Sequence, residues 1–240
     1  MDFEVVPRAG EIAREHELAV IEDAAQAFGS RYHGVWSGCI GTVGCFSTHP
    51  LKNLNGSGDG GLIVTRDGAM AERLRRFANH GLADRNTSVE FGVVSRMDTL
   101  QAALLCMRLP RLADVITRRR ANAARYREGL VGTGAFVPSD RPNTVDTHHT
   151  MVIQVAGRDA LAERLRSEGI GHAIHYPRPI HLQPAARHLG HREGSFPVAE
   201  AQAQKIISLP IHQFLGPADI DRVVAVVRDH CAEAREEMLA

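Results

Sequence analysis

The chain has 240 residues, enough for one large domain or two modest ones and for a sizeable core without disulfide staples. Hydrophobic residues make up 44% and charged residues 23%, the balance of an ordinary soluble globular protein. Lys and Arg number 28 against 28 Asp and Glu, and this zero net charge argues against a chain built to coat nucleic acid or an anionic membrane.

In chain order, residues 8–17 read as a short helix and 18–21 as a strand ending at Glu22-Asp23. Segment 31–46 is rich in glycine and β-branched residues and reads as turns leading into a strand over 42–47. A loop over 48–60 and a strand over 62–65 follow. Asp67 is placed to cap a helix over 68–79, closed by His80-Gly81. Apolar residues at helical spacing resume at Met97, Leu100, Ala103, Leu104 and Met107 and continue past Pro110 to Leu130, predicting a long helix over about 97–130. The second half predicts a strand over 150–155 and a helix over 158–168 with Gly169 just past its end. It then predicts a strand over 171–176, stopped by Pro177 and Pro179. Further on it predicts a helix over 199–206, a short strand ending at Pro210, and a final helix over 217–236. Alternating strands and helices on this scale make the fold class α/β.

The four cysteines, Cys39, Cys45, Cys106 and Cys231, include no CxxC pair and read as free thiols. Apolar runs are far too short to span a bilayer, and Met1-Asp2-Phe3-Glu4 opens no signal peptide, so the cytoplasm is the expected compartment. The run Gly56-Ser57-Gly58-Asp59-Gly60-Gly61 satisfies GxGxxG, but its last glycines open a strand where a dinucleotide site needs a helix. Among the 13 histidines, His172 and His175 share HxxH spacing, as do His188 and His191, without carboxylates at ligand spacing. A histidine-based metal hydrolase is the weakest of the readings, and no metal is expected.

Of the 28 basic residues, 26 are Arg and two are Lys, Lys52 and Lys205. A sequence that uses Arg for plain positive charge keeps Lys for a task Arg cannot perform, such as reversible deprotonation to a nucleophilic amine. Lys205 reads as a surface lysine on a helix. Lys52 follows Phe46-Ser47-Thr48-His49 and precedes the glycine loop, while the acid pair Glu22-Asp23 ends an upstream strand. An amine, a carboxylate, a hydroxyl and a glycine-rich turn together suggest pyridoxal 5'-phosphate, with Lys as the Schiff-base residue and a buried Asp on the pyridine nitrogen. On spacing alone, an N-cap for the segment after it is the favoured reading of this acid pair.

The runs VIEDAAQAFGS, GTVGCFSTHPLKNLNGSGDGGLIVTRD, RFANHG, SRMDTLQAALL, RRRANAARYREGL, HYPRPIHLQP and FPVAEAQAQKIISLPIH, in this order, resemble the sugar aminotransferases of the DegT/DnrJ/EryC1/StrS family from about residue 10 onward. The resemblance implies the pyridoxal-phosphate-dependent transferase type I fold. Residues 1–118 would be part of the cofactor-binding large domain with a mainly parallel sheet. Residues 119–240 would be a small α+β C-terminal domain, with the long helix bridging the two. It implies transfer of an amino group from glutamate to a nucleotide-linked keto sugar, and a homodimer whose sites are completed across subunits. Lys52 would be the Schiff-base lysine and proton shuttle, Asp23 the partner of the pyridine nitrogen, Gln26 a neighbour of the cofactor's O3′ face, and Ser47 a phosphate ligand. His175 and Tyr176 match a small-domain motif and either contact the sugar-nucleotide or pack the domain. Family members run longer at the N-terminus, so the chain resembles the C-terminal two-thirds of such an enzyme, and an impaired chain keeping only a fold or assembly role is the alternative. Val94 stands where many members have an Asn that reaches the partner's phosphate. The motif Gly58-Asp59-Gly60-Gly61 resembles that of members acting at the sugar 3-position.

Overall fold

Two short runs flanking the glycine loop, β4 (Val43–Ser47) and β5 (Gly61–Thr65), pair antiparallel, and β1 (Ile21–Asp23) lies parallel to β4 on its other side. The computed structural model describes residues 5–239, so the acidic opening at residues 1–4 lies outside the described residues. The chain divides into two compact units, one reaching to Ile116 and including Arg141–Thr147, the other formed by Thr117–Asp140 and the residues from His148 onward.

In the first unit the sheet order is β1-β4-β5, with Asp23 opposite Cys45, Cys45 opposite Ile63 and Ser47 opposite Gly61. Side chains alternate across a sheet. One face, here called the front, therefore carries Asp23, Cys45, Ser47 and Ile63, and the back carries Glu22, Gly44, Phe46 and Leu62. Helix α1 (Val5–Glu15) precedes β1, and α2 (Gly68–Phe77) follows β5. Asp67 caps α2, its Oδ1 accepting the N–H groups of Ala69 and Met70 at 2.8 and 3.1 Å, a motif that stabilises a helix by about 1 kcal/mol. β2 (Arg31–Tyr32) and β3 (Val35–Trp36) form a hairpin whose two loop residues, His33 and Gly34, both have positive φ, the backbone a tight two-residue connection needs. The Arg31 guanidinium lies 3.6 Å over the Trp36 ring. β6 (Thr144–Val145) pairs on the other side of β2. Leu54, Leu105 and Leu112 form a small core with Phe28, Met97 and Ile116.

The expected long helix is two helices, α3 (Thr99–Arg108) and α4 (Leu112–Gly129), separated by a tight turn at Leu109–Arg111 around Pro110, which has no N–H to continue the ladder. The second unit is built on the antiparallel pair β7 (Met151–Gln154) and β8 (Ile206–Leu209), with α5 (Arg158–Ser167), α6 (Pro197–Ala203) and α7 (Pro217–Leu239). Met151 and Ile153 point into its core, joined by Tyr126, Leu161, Leu165, Ile207, Ile220 and Val227. Tyr126 is fully buried and its hydroxyl donates to the Pro210 carbonyl at 2.8 Å. Among the described residues no helix is long and apolar enough to cross a membrane.

Three further expectations change. Residues 171–176 are not a strand: only Ala173 pairs, with Ser208, and Pro177 and Pro179 bring no donors to extend it. The helix expected over 199–206 starts at Pro197 and ends at Ala203, because Ile206 begins β8 opposite Gln154. Lys205 therefore lies in the turn between α6 and β8 and not within a helix, its carbonyl accepting the Val155 N–H at 3.0 Å.

Candidate active site

Lys52 sits on a loop closed at both ends by a single buried residue. Thr48 is 1% exposed; its N–H donates to the Gly60 carbonyl at 2.8 Å, and its carbonyl accepts the Gly56 N–H at 2.7 Å. Between these pins the Lys52 N–H donates to the His49 carbonyl at 2.9 Å, and buried Asn53 donates through Nδ2 to the Thr147 carbonyl at 2.9 Å. Gln101 Oε1 accepts the Ser57 N–H at 2.7 Å, and Arg108 donates to the Asn55 carbonyl at 2.6 Å. Space is tightest at the end of the run: a methyl on Gly60 would lie 2.7 Å from the Oγ1 of buried Thr48 and one on Gly61 2.8 Å from the Phe46 carbonyl oxygen, whereas one on Gly56 would come within 2.8 Å of the movable end of the Gln101 side chain. Gly61 opens the strand β5 where a dinucleotide loop would open a helix, so the GxGxxG run is not a dinucleotide loop.

The Lys52 side chain is half-buried, and among the described residues its ammonium has no ion pair. Next to it in the chain, Asn53 Oδ1 is buried without a donor. Ser47 Oγ accepts the His49 N–H at 3.2 Å, which leaves the hydroxyl proton free to donate. Asp23 is exposed, and its Oδ1 accepts only the Ala25 N–H at 3.1 Å, so the capping role open on spacing is present as a short turn. The front face of the sheet thus brings Asp23 and Ser47 together, with Cys45 in the register between them, and the loop that leaves Ser47 carries Lys52. Gln26 is exposed in the turn that follows Asp23.

His175 and Tyr176 belong to the second unit. His175 Nδ1 lies 2.9 Å from Ser208 Oγ, and the His175–Tyr176 peptide is cis. Tyr176 is 70% exposed and lines an open, mainly apolar cavity of about 780 Å³ with Arg178, His181 and Phe196. His181 is buried, with Nε2 2.9 Å from Glu200 Oε1. Hydrogen bonds from the backbone N–H groups of Gly194 and Phe196, and then from His181, hold the Glu200 carboxyl below its usual range. His172 Nδ1 faces the Ile170 carbonyl and His188 Nδ1 the Ala185 carbonyl, so the HxxH residues are engaged one by one. Among the described residues no three metal-ligating side chains come together, and the hydrolase reading finds no ligand set there.

Sequence reasoning missed Gln101 and Arg108, and it noted Thr48, Asn53 and Glu22 in the clusters without seeing that they hold the site's shape. The one local signal was the spacing of Gly38, Gly41 and Gly44, which marks a backbone crossing close to another strand.

The profile of the DegT/DnrJ/EryC1/StrS aminotransferase family matches residues 4–228. The chain belongs to this family. It is 41% identical over 220 residues to the dTDP-3-amino-3,4,6-trideoxy-alpha-D-glucose transaminase of Streptomyces venezuelae, covering 91% of the chain and 58% of that protein. It is 39% identical over 217 residues to the UDP-N-acetyl-3-dehydro-alpha-D-glucosamine 3-aminotransferase of Acidithiobacillus ferrooxidans, covering 90% and 58%. Among solved structures, the S. venezuelae DesV complex with a ketimine intermediate matches with a TM-score of 0.90 at 40% identity, covering 96% of the chain and 62% of that one. The fold is that of the type I sugar aminotransferases of the DegT family. The chain spans about three-fifths of the length of these relatives.

Proposed function

We propose that this chain carries the lysine-bearing part of a pyridoxal-phosphate-dependent aminotransferase that moves an amino group from glutamate to the keto group of a nucleotide-linked sugar. The observation that carries the reading is the pinned 48–60 loop: it leaves the strand end at Ser47, whose hydroxyl shares a sheet face with the exposed Asp23 carboxylate, and it carries Lys52, whose amine has no ion pair among the described residues. The donor set fits the cofactor: a primary amine for its aldehyde, a hydroxyl donor for its phosphate, and a carboxylate for its ring nitrogen. Lys52, Ser47 and Asp23 would hold it, with Gln26 alongside. When bound, it supplies an electron sink for the carbon being deprotonated. Lys52 Nζ, as the free base, takes up a proton and returns it, which an Arg at this position could not do. The Asp23 carboxylate holds a proton at the ring nitrogen, and the Ser47 hydroxyl donates toward phosphate oxygen. His175, its ring tied to Ser208, and Tyr176 contact the sugar-nucleotide.

The Gly58-Asp59-Gly60-Gly61 run, together with the 3-amino and 3-dehydro sugars in the names of both relatives above, supports amination at the sugar's third carbon. Residues 1–118 form part of the cofactor domain and 119–240 the small domain. The protein works as a cytoplasmic homodimer, in which Val94 leaves the partner's phosphate without an amide contact. A second reading, a chain that keeps the fold or an assembly role without turnover, draws support from Ile21 and Ile63, which are 71% and 56% exposed on the same face as Asp23. Turnover of glutamate and a nucleotide-linked 3-keto sugar by the 240-residue chain separates the two: measurable, Lys52-dependent turnover supports the first, and full cofactor loading without turnover supports the second.

A further inference from the structure

β1 ends in two adjacent carboxylates, and strand alternation sends them to opposite faces. On the back, Glu22 is fully engaged. Its Oε2 accepts the Gly38 N–H at 2.8 Å, and its Oε1 accepts the N–H groups of Ile40 and Gly41, both at 2.6 Å. All three donors belong to one turn that lies directly on the strands. A methyl on Gly44 would sit 2.2 Å from the Gly38 carbonyl oxygen, one on Gly38 2.3 Å from the Phe46 ring, and one on Gly41 2.7 Å from the Val20 carbonyl oxygen. Three glycines allow the approach, and one carboxylate fastens it with charge-assisted bonds, roughly twice as strong as neutral ones.

The fastening matters because β1 has only three residues and, among the described residues, pairs with β4 alone. A one-residue slip of a strand moves every side chain to the other face. Such a slip here would bury Asp23 against the turn and present Glu22 on the front. The ladder with β4 and the flanking bonds of Val20 to Thr42 and Val43 and of Ala24 to Cys45 oppose it, and the clasp adds three charge-assisted bonds from the other side of the strand.

We propose that Glu22 is the positioning residue of the front face: by clasping the 38–41 turn to the back of the sheet it fixes the register that presents Asp23 beside Cys45 and Ser47. This rests on the assignment of that face to pyridoxal phosphate.

The test uses the whole 240-residue chain, with amide-resolved hydrogen exchange measured without cofactor and pyridoxal phosphate titrated by the Lys52-dependent absorption band. Glu22→Gln keeps the side chain's size and one acceptor oxygen, so exchange should quicken at Gly38 and stay slow at Ile40 and Gly41. Glu22→Ala should quicken all three by about 100-fold and weaken cofactor binding about tenfold or more. In both variants the band maximum should move in the same direction as in Asp23→Asn, a change that simple loss of stability does not produce at saturating cofactor. Should Glu22→Ala fail to fold, Glu22→Gln still decides. Faster exchange with unchanged affinity and band position would overturn the positioning role and leave the cofactor site standing. Unchanged exchange at Gly38 in Glu22→Gln would overturn the clasp. A wild-type chain with no Lys52-dependent band would overturn the cofactor assignment and the positioning role together, whatever the exchange pattern.

Discussion

Gly60→Ala tests whether the Lys52 loop is held by its pinned ends. Gly60 is not needed for a left-handed backbone; it is needed for space. A methyl there would sit 2.7 Å from Thr48 Oγ1 and 3.3 Å from Met97 Cε. The methionine end can swing aside, but Thr48 is 1% exposed and its N–H bonds to the carbonyl of Gly60 itself. Relieving the contact means moving one loop end off the other. Overpacking of this kind costs about 1–3 kcal/mol. Loss of the Thr48–Gly60 hydrogen bond adds about 1 kcal/mol if the ends separate. The assay is urea unfolding followed by tryptophan fluorescence, because the single tryptophan, Trp36, lies in the first unit and so reports on the unit that holds the loop. Thr48→Ala removes the offending oxygen, and the double variant should recover about 1 kcal/mol relative to the sum of the singles. Gly68→Ala is the control: nothing lies within 4 Å of its added methyl, and at the first residue of α2 the change should be neutral or stabilising by about 0.5 kcal/mol. Cofactor affinity should fall about tenfold in Gly60→Ala, in step with a loop displacement worth about 1.4 kcal/mol. A wild-type urea midpoint for Gly60→Ala, or strict additivity with Thr48→Ala, would refute the pinned loop.

Ile153→Ala, at a fully buried β7 position in the second unit, should cost about 2–5 kcal/mol, measured as a lowered urea midpoint by circular dichroism; a loss below about 1 kcal/mol would mean the core around β7 is not close-packed. The Glu200 carboxyl is held below its ordinary value of 4.5, first by the Gly194 and Phe196 N–H groups and then by His181. A carboxyl whose folded pKa is lowered contributes stability above its unfolded pKa and loses it as pH falls through the folded one. Thermal midpoints should therefore drop as pH falls below about 4.5, and Glu200→Gln should make that drop shallower; an identical acid profile in the variant would remove Glu200 as a contributor.

Much of the first unit was legible because its signals are local. The strands at 43–47 and 61–65 are bounded by turn residues, and Asp67 announces α2 by a hydrogen bond made within three residues. Lys52 stood out through composition, one of two lysines in an arginine-rich chain. What failed depends on partners distant in sequence. Residues 171–176 have strand-like composition, but only Ala173 finds a partner, in β8. The run at 199–206 has helical spacing to its end, yet pairing with β7 claims Ile206 for a strand. The division of labour between Glu22 and Asp23 could not be read from two adjacent acids, because it is set by a turn 16 residues downstream of Glu22.

The central claim is that Lys52 Nζ is the reactive amine of a cofactor site, and the direct measurement is the absorbance of the 240-residue chain after addition of pyridoxal phosphate and removal of the excess. The account predicts a retained visible band in stoichiometric amount, removed by borohydride reduction only as a covalent adduct that peptide mapping places on Lys52, and absent in Lys52→Ala. A band of equal strength in Lys52→Ala, or an adduct on Lys205, would contradict it.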